Sequence, residues 1–401
     1  MSTRTSTAKK TSLSATPKDE VSSLHSLERA ELQLLMEELA ALPDPRQSAS
    51  ITYPLQSLLL IALCTILTGK IAFTDMSLYA ELHHPFLSDL LGREAPRPSH
   101  DTFRYLFSIL DPEALHEMLH RWDIKLPKDH RQTPQVAIDG KSKRMGKGSG
   151  GGKPLLHTVG AILRQRGLTL SAKFVPEKGG EIQAIRETIQ SIHLAGCVVT
   201  IDAGGTFRDV ADAIVEKKAD YILALKMNQE KLYRSVELAF SNRNLAEIKH
   251  DFTETNHGHG RTEIRHIQMI NSHEVNLVGE PWRGLHQVIR VERIRSVGNA
   301  APTREQAYYI SSWESGAKEH AEMIRGHWSI ENQLHWILDA NWMEDRHHLR
   351  SVQALKNLGL LTRFGLNLLK LHPRKDSLRR KMLAASYSTD FIVECLAQID
   401  A

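Results

Sequence analysis

Two short apolar runs, each closed by an aspartate, constrain this chain more than any other feature. Gln135 to Ile138 runs into Asp139-Gly140, and Cys197 to Ile201 runs into Asp202. Runs of this length, bounded by turn residues, read as buried strands. Leu155 to Ile162 and Leu168 to Val175 read as two further strands, the second alternating Leu168, Leu170, Ala172 and Phe174 toward one face. Ile182, Ile185, Ile189 and Ile192 recur at helical spacing, and Gly196 ends that helix. A helix near Arg208 to Lys217, a strand Tyr221 to Leu225 and a helix from about Gln229 to Ser241 follow. The order is β-β-β-α-β-α-β-α, which belongs to the α/β class.

Acids at the ends of the first and fourth strands are the arrangement of a ribonuclease H-like mixed sheet, in which those two strands lie side by side. A bare cluster of carboxylates is costly, because mutual repulsion raises their pKa values. Divalent cations reverse that cost, and two Mg²⁺ ions (or Mn²⁺) held by carboxylates serve in-line phosphoryl displacement. Either aspartate alone reads as an ordinary turn residue; the pair, in this strand order, favours a metal site. The third carboxylate belongs on the helix around Ile324 to Asn332. There His327, Glu331 and His335 are spaced i, i+4, i+8 and share one face, with the two histidines as neighbours for phosphate or water. A zinc site on those three is disfavoured, since a straight helix spaces them too widely for one ion. Trp328, Ile330, Leu334 and Ile337 are the expected core contacts of the same helix.

Around this core the chain divides readily. Residues 1–20 form a basic tail with no apolar signal-peptide core. Residues 21–130 are an all-helical N-terminal domain, with helices over Val21 to Leu42, Tyr53 to Phe73, Ser77 to Leu91, Ser99 to Leu110 (Ser99 as N-cap) and Glu113 to about Trp122. The core occupies 131–241 and resumes at 314–371, interrupted by a β-rich insertion over 242–313. Candidate strands there are Glu263 to Ile270, Val275 to Val278, Gln287 to Ile294 and Ala307 to Ser311. A long helix is expected from about Lys318 to Ala340, then a basic helix over roughly 350–371 and a basic, helical tail over 372–401. The three cysteines are far apart and odd in number, which indicates neither a disulfide framework nor a cysteine zinc site. The most apolar stretch, Leu58 to Leu67, is about half of the roughly 20 residues that a membrane helix needs, so no membrane partner is expected.

Several segments in order carry a resemblance. Ala137-Ile138-Asp139-Gly140-Lys141-Ser142, Thr200-Ile201-Asp202-Ala203, Tyr221 to Gln229, His259-Gly260-Arg261-Thr262-Glu263, His327 to Trp336 and Glu344-Asp345 resemble the H-repeat-associated (ISAs-type) transposases, bacterial insertion-sequence enzymes of the DDE superfamily. The similarity also takes in Pro43 to Arg46, Pro54-Leu55 and Pro98 to Phe103, and so runs from about 43 to 371. It implies a DNA transposase with Asp139, Asp202 and Glu331 as a catalytic, Mg²⁺-binding triad and a β-rich insertion before the glutamate. The related pattern Tyr-x2-Arg-x3-Glu-x6-Lys is not kept, because Ile324, His327 and Leu338 stand at its Tyr, Arg and Lys positions. Arg325 and His327 are the expected substitutes for the phosphate contacts. Altered loops at Glu177 to Glu181 and Asp202 to Phe207 leave a domesticated, silent DNA-binding protein, or a nuclease without strand transfer, as alternatives.

The formal charge of +4 is segregated: residues 19–130 sum to −8 and residues 131–401 to +8. Two windows, 139–182 at +6 and 346–381 at +9, are the expected phosphate-facing stretches, and phosphate neutralisation makes affinity steeply salt-dependent. DNA contacts are therefore expected from Lys141, Lys143, Arg144, Lys226, Arg261, Arg325, His327, Arg346 and Arg350. Trp282 is a candidate for stacking on an extruded base, although an isolated Trp is more often core. The expected partners are element-end and target DNA, with a homodimer assembled on it in the bacterial cytoplasm, at the nucleoid.

Overall fold

A computed structural model describes residues 31–121, 133–144, 155–175, 180–242, 250–258, 260–298, 300–346 and 349–398. The basic tail over 1–20, the Gly-rich loop at 146–152 and His259 lie outside the described residues, as do the side chains of Lys143, Arg144 and Arg346. After a helical stretch at 31–41 comes α1 (Leu55–Leu67), which is apolar all round and buried on nearly every side, as such a helix must be. It stops short of Phe73, at Thr68 and Gly69, where the glycine takes a φ of +80°. The single helix expected over Ser77 to Leu91 is instead α2 (Phe73–Leu82) and α3 (His84–Leu91). Pro85 explains the break: it has no N–H for a continuing helix. Ser99 caps α4 (His100–Ile109) by accepting the Thr102 N–H at 3.3 Å, and α5 (Pro112–Arg121) opens on its proline.

One nine-stranded mixed sheet follows. In chain order its strands are β1 (Gln135–Arg144), β2 (Leu155–Leu163), β3 (Leu168–Val175), β4 (Val198–Ile201), β5 (Asp220–Leu225), β6 (His250–Gly258), β7 (Arg261–Asn271), β8 (Gln287–Val297) and β9 (Thr303–Ser311). In space the order is β3-β2-β1-β4-β5-β9-β8-β7-β6. β1, β4 and β5 run parallel; every other neighbouring pair is antiparallel. Helices α6 (Glu181–Ser191), α7 (Arg208–Glu216) and α8 (Glu230–Ser241) cover one face, packing on Val136, Ile138, Val199 and Ile201. The strands of 242–313 are thus not a separate body: β9 pairs with β5, so they extend the core sheet. No strand forms at Val275 to Val278, whereas β6 was not apparent in the sequence.

The helix expected over Lys318 to Ala340 is α9 (Ala317–His327), a break at Trp328, a π-helical turn over Glu331–His335, and α10 (Trp336–Trp342). The largest correction concerns the basic helix. α11 (Val352–Leu371) is a central helix with most of its residues buried, in one apolar cluster with α1, α2, α4, α5 and the segment Ile330 to Trp342. Two of its three charges, those of Arg363 and Lys370, point inward. Arg363 pairs with Glu344 at 2.8 Å, and the Lys370 ammonium donates to the Gln333 carbonyl at 2.7 Å. In α12 (Leu378–Tyr387), Lys381 donates to the carbonyls of Leu369 and His372, both at 2.8 Å, and α13 (Thr389–Leu396) completes the cluster. The helical N-terminal region therefore joins the rest through a shared apolar core. None of the helices among the described residues is long and apolar enough to cross a membrane.

Asn357 shows how tight that junction is. It is fully buried, and its amide donates to the Phe107 and Leu110 carbonyls at 3.0 and 2.8 Å, at the end of α4 where such carbonyls lack intrahelical partners. Asn357→Ala is expected to cost about 2 to 3 kcal/mol, read as a lower urea midpoint with an unchanged m value.

Candidate active site

Strand periodicity decides which acids meet. On β1, Val136 and Ile138 face the α6–α8 layer while Ala137 faces α11, so Asp139 points to the Ala137 side. On β4, Val199 and Ile201 face that same layer, so Thr200 and Asp202 point away from it. Ile138 lies opposite Ile201 in the parallel pair, which sets Asp139 and Asp202 at equal height on the same face. The third acid comes from the π turn. Leu334 of that turn, fully buried, sits over Gly160, the cross-strand partner of Asp139. A Cβ on Gly160 would stand 3.1 Å from the Leu334 methyl, so any larger residue there would require that methyl to give by a few tenths of an ångström. The extra residue of a π turn is a frequent device at functional sites.

A cleft of about 450 Å³ results, lined among others by Asp139, Asp202, Glu331, Lys226, His327 and Arg293. Asp202 accepts the N–H groups of Gly204 at 3.0 Å and Gly205 at 3.3 Å. It therefore serves as a turn cap as well as a cleft acid. His335 is buried; its Nδ1 lies 3.1 Å from Glu331 Oε2 and 3.9 Å from Asp139 Oδ2. His327 Nδ1 meets Thr200 Oγ1 at 3.1 Å, and Gln135 donates to the same hydroxyl at 3.0 Å. Burial holds both imidazoles below the usual histidine range, against the opposing pull of Asp202 on His327 and of Glu331 on His335. The Asp139 carboxyl is pushed up to about 7, first by burial and then by the Asp202 charge, with Glu331 and Glu181 adding to it; the Gly140 N–H, 2.9 Å away, acts in the opposite sense. This donor set fits a divalent cation. Donor atoms of Asp139, Glu331 and His335 lie within 4.8 Å of one another, and the repulsion that raises Asp139 is what a cation relieves.

Comparison with known proteins assigns the fold to a family. Residues 124–368 match the family described as "Transposase DDE domain", and residues 36–123 the segment described as "DDE_Tnp_1-associated". The chain belongs to the DDE transposase family. It is 30% identical to the "H repeat-associated putative transposase YhhI" of Escherichia coli K12, over 92% of this chain and 98% of that one. The "Putative transposase YncI" of Escherichia coli O157:H7 is 31% identical over 91% and 95%. A solved piggyBac transposase synaptic complex with hairpin DNA aligns over 92% of this chain and 80% of its own, at a TM-score of 0.42 and 10% identity.

In this DDE transposase the nine residues expected to face DNA are distributed unevenly. Lys226 is exposed, and it and His327 line the cleft. Lys141 is mostly buried and pairs with Asp339, with Asp345 3.5 Å away. Arg325, on α9, reaches Glu254 at 3.4 Å. Arg261 is exposed at the β6–β7 turn and Arg350 is exposed just before α11. Trp282 is 8% exposed in the α6–α8 core, so it offers no free ring face for base stacking. Trp328, expected in the core, is instead 63% exposed at the cleft. The sequence reading missed Glu181, the fourth acid beside Asp139, and Arg293, which enters from the extended half of the sheet. Nothing local in the sequence marks either.

The Asp139 shift has a sign that can be tested. Its folded-state pKa lies above its ordinary 3.8, so the folded protein holds a proton that the unfolded chain has already released. That contribution is present at about pH 4 and is lost as pH rises through about 7. In chelator, Asp139→Asn is expected to be more stable than wild type at pH 8, by on the order of 4 kcal/mol, and no more stable near pH 4. Denaturation curves across that range decide it. An equal advantage at both ends would remove charge burial from the account.

Proposed function

We propose that this protein is a DNA transposase that cuts at the ends of an insertion sequence and joins the freed end to target DNA. The observation that carries the reading is the cleft in which acids from β1, β4 and the π turn come together beside Lys226 and His327. The strand order β3-β2-β1-β4-β5, with its parallel centre and antiparallel flank, supports a ribonuclease H-like core extended by β9-β8-β7-β6. Asp139, Asp202 and Glu331 would hold divalent cations, Mg²⁺ in the cell, and these would supply activation of the attacking oxygen and charge stabilisation of the leaving one. In the first step water attacks phosphorus, the P–O3′ bond breaks, and a 3′-OH and a 5′-phosphate are left. In the second that 3′-OH attacks a target phosphodiester and a target 3′-OH departs. No covalent bond to the protein is required in either.

The remaining residues bind and orient. His327, anchored through Thr200, presents its ring to the cleft beside Asp202. Lys226 offers a mobile cation to a backbone phosphate. Both DNA ends must be held at once, so the working form is a homodimer on DNA, in the cytoplasm of a bacterial cell.

With Mg²⁺ and oligonucleotides carrying the element ends, wild type is expected to cleave and to join pre-cleaved ends, and Asp202→Ala to lose both by at least about a thousand-fold. Equal activity in the two proteins would exclude the triad. Cleavage without joining would leave a nuclease, and binding alone a silent DNA-binding protein. Lys226→Ala is expected to weaken DNA binding without regard to sequence and to lower the slope of log K against log salt by about 1.

A further inference from the structure

We propose that His335 is a metal ligand, so that the two cation positions of this site are chemically unequal. The inference deepens the reading that the acids hold divalent cations and rests on it. Asp139 is shared: its Oδ1 accepts the Gly140 N–H, while its Oδ2 faces His335 and Glu331 on the α10 side. One position has Asp139 and Asp202 and is all oxygen. The other has Asp139, Glu331 and His335, two carboxylate oxygens and one imidazole nitrogen.

The geometry admits direct coordination. Adjacent ligands about 2.1 Å from an octahedral ion stand about 3.0 Å apart, and opposite ones about 4.2 Å. His335 Nδ1 is 3.1 Å from Glu331, which matches an adjacent pair and equally a hydrogen bond, and 3.9 Å from Asp139, nearer to the opposite-ligand spacing. The ring is 4% exposed on its side chain, so it is already in place and loses little freedom on binding an ion. A regular helix keeps residues i and i+4 stacked along its axis; the π turn over Glu331–His335 widens the coil and lets both side chains converge on Asp139. The alternative is that Nδ1 carries a proton and only fixes the Glu331 carboxylate by a hydrogen bond. The two roles differ in what the nitrogen does when a cation is present.

Imidazole suits transition metals, whereas carboxylate alone suits Mg²⁺ and Mn²⁺ alike, so a nitrogen-bearing position prefers Mn²⁺ over Mg²⁺. The test uses the full chain with Mn²⁺ alone, read by pulsed electron paramagnetic resonance and by titration against Mg²⁺. Wild type is expected to show nitrogen modulation from a directly bound imidazole, which changes on isotopic substitution of the histidine nitrogens without any mutation. His335→Gln is expected to abolish that modulation and to weaken Mn²⁺ about ten-fold, with a smaller effect on Mg²⁺. His327→Gln is expected to keep the modulation. Mn²⁺ that binds wild type, is lost in Asp139→Asn and yet shows no nitrogen modulation would overturn the role of His335 and leave the triad standing. Modulation lost in His327→Gln instead would also overturn it. No Mn²⁺ bound, or binding indifferent to Asp139→Asn, would overturn the triad itself and the proposal with it.

Discussion

The site depends on one close approach, the seating of Leu334 over Gly160. Asp139 and Asp202 are delivered by a sheet whose register is fixed by Ile138 opposite Ile201, so their proximity follows from strand pairing alone. Glu331 has no such guarantee. It is brought to the strands by a turn whose buried Leu334 rests on Gly160, the neighbour of Asp139, where a Cβ would crowd the leucine methyl. Apolar contact thus drives together groups that repel one another. Burying Leu334 is worth roughly 1.5 to 3 kcal/mol, less than the cost, on the order of 4 kcal/mol, that the ionised Asp139 alone bears above pH 7 without a cation, so the wider apolar cluster must supply the rest. The metal-free protein is therefore assembled against its own electrostatics, and a cation relieves a cost the fold already bears.

Much of this was legible in the sequence for definite reasons. Asp139 and Asp202 closed apolar runs short enough to be strands, and period-two alternation then put both on one face. Ser99 and Pro112 marked their helix starts by ordinary capping chemistry. Other elements were hidden because the deciding interaction is tertiary. The π turn carries the same residue pattern as a regular helix, so Glu331 and His335 read as a face of a straight rod. The break at His83 is the exception, because Pro85 marks it locally and the apolar residues on both sides masked that signal. β6 exposes every second residue and carries charges, so its apolar signal is weak; it forms through pairing with β7.

Charge arithmetic misled most where burial intervened. The window with nine excess positive charges covers a helix that is the spine of the C-terminal half, and three of its cations are spent on interior partners. Arg363 is held by Glu344, while Lys370 and Lys381 satisfy backbone carbonyls. Net charge in a window reports a surface field only if the side chains reach water. Here the long stems cross apolar ground and end on buried oxygens. Arg350, Lys375 and Arg379 are exposed and contribute to a surface field, while Arg374 and Arg380, also exposed, share Asp376.

The same helix and the neighbouring α10 tie the N-terminal helices to the rest of the chain. Asn357 fastens α11 to the end of α4, Trp342 donates to the Ile66 carbonyl of α1 at 3.1 Å, and Asn367 both donates to and accepts from the Thr169 backbone on β3, at 2.8 and 2.9 Å. The π turn lies between α9 and this assembly and belongs to the same apolar cluster. Its position over Gly160 is consequently set by packing contributed from residues near 66, 107 and 357, far from it in sequence. The two aspartates are placed by strand pairing, whereas the third acid is seated by packing that the N-terminal helices share with α11. That makes the helical N-terminal region part of the active site's support, although none of its described residues lines the cleft.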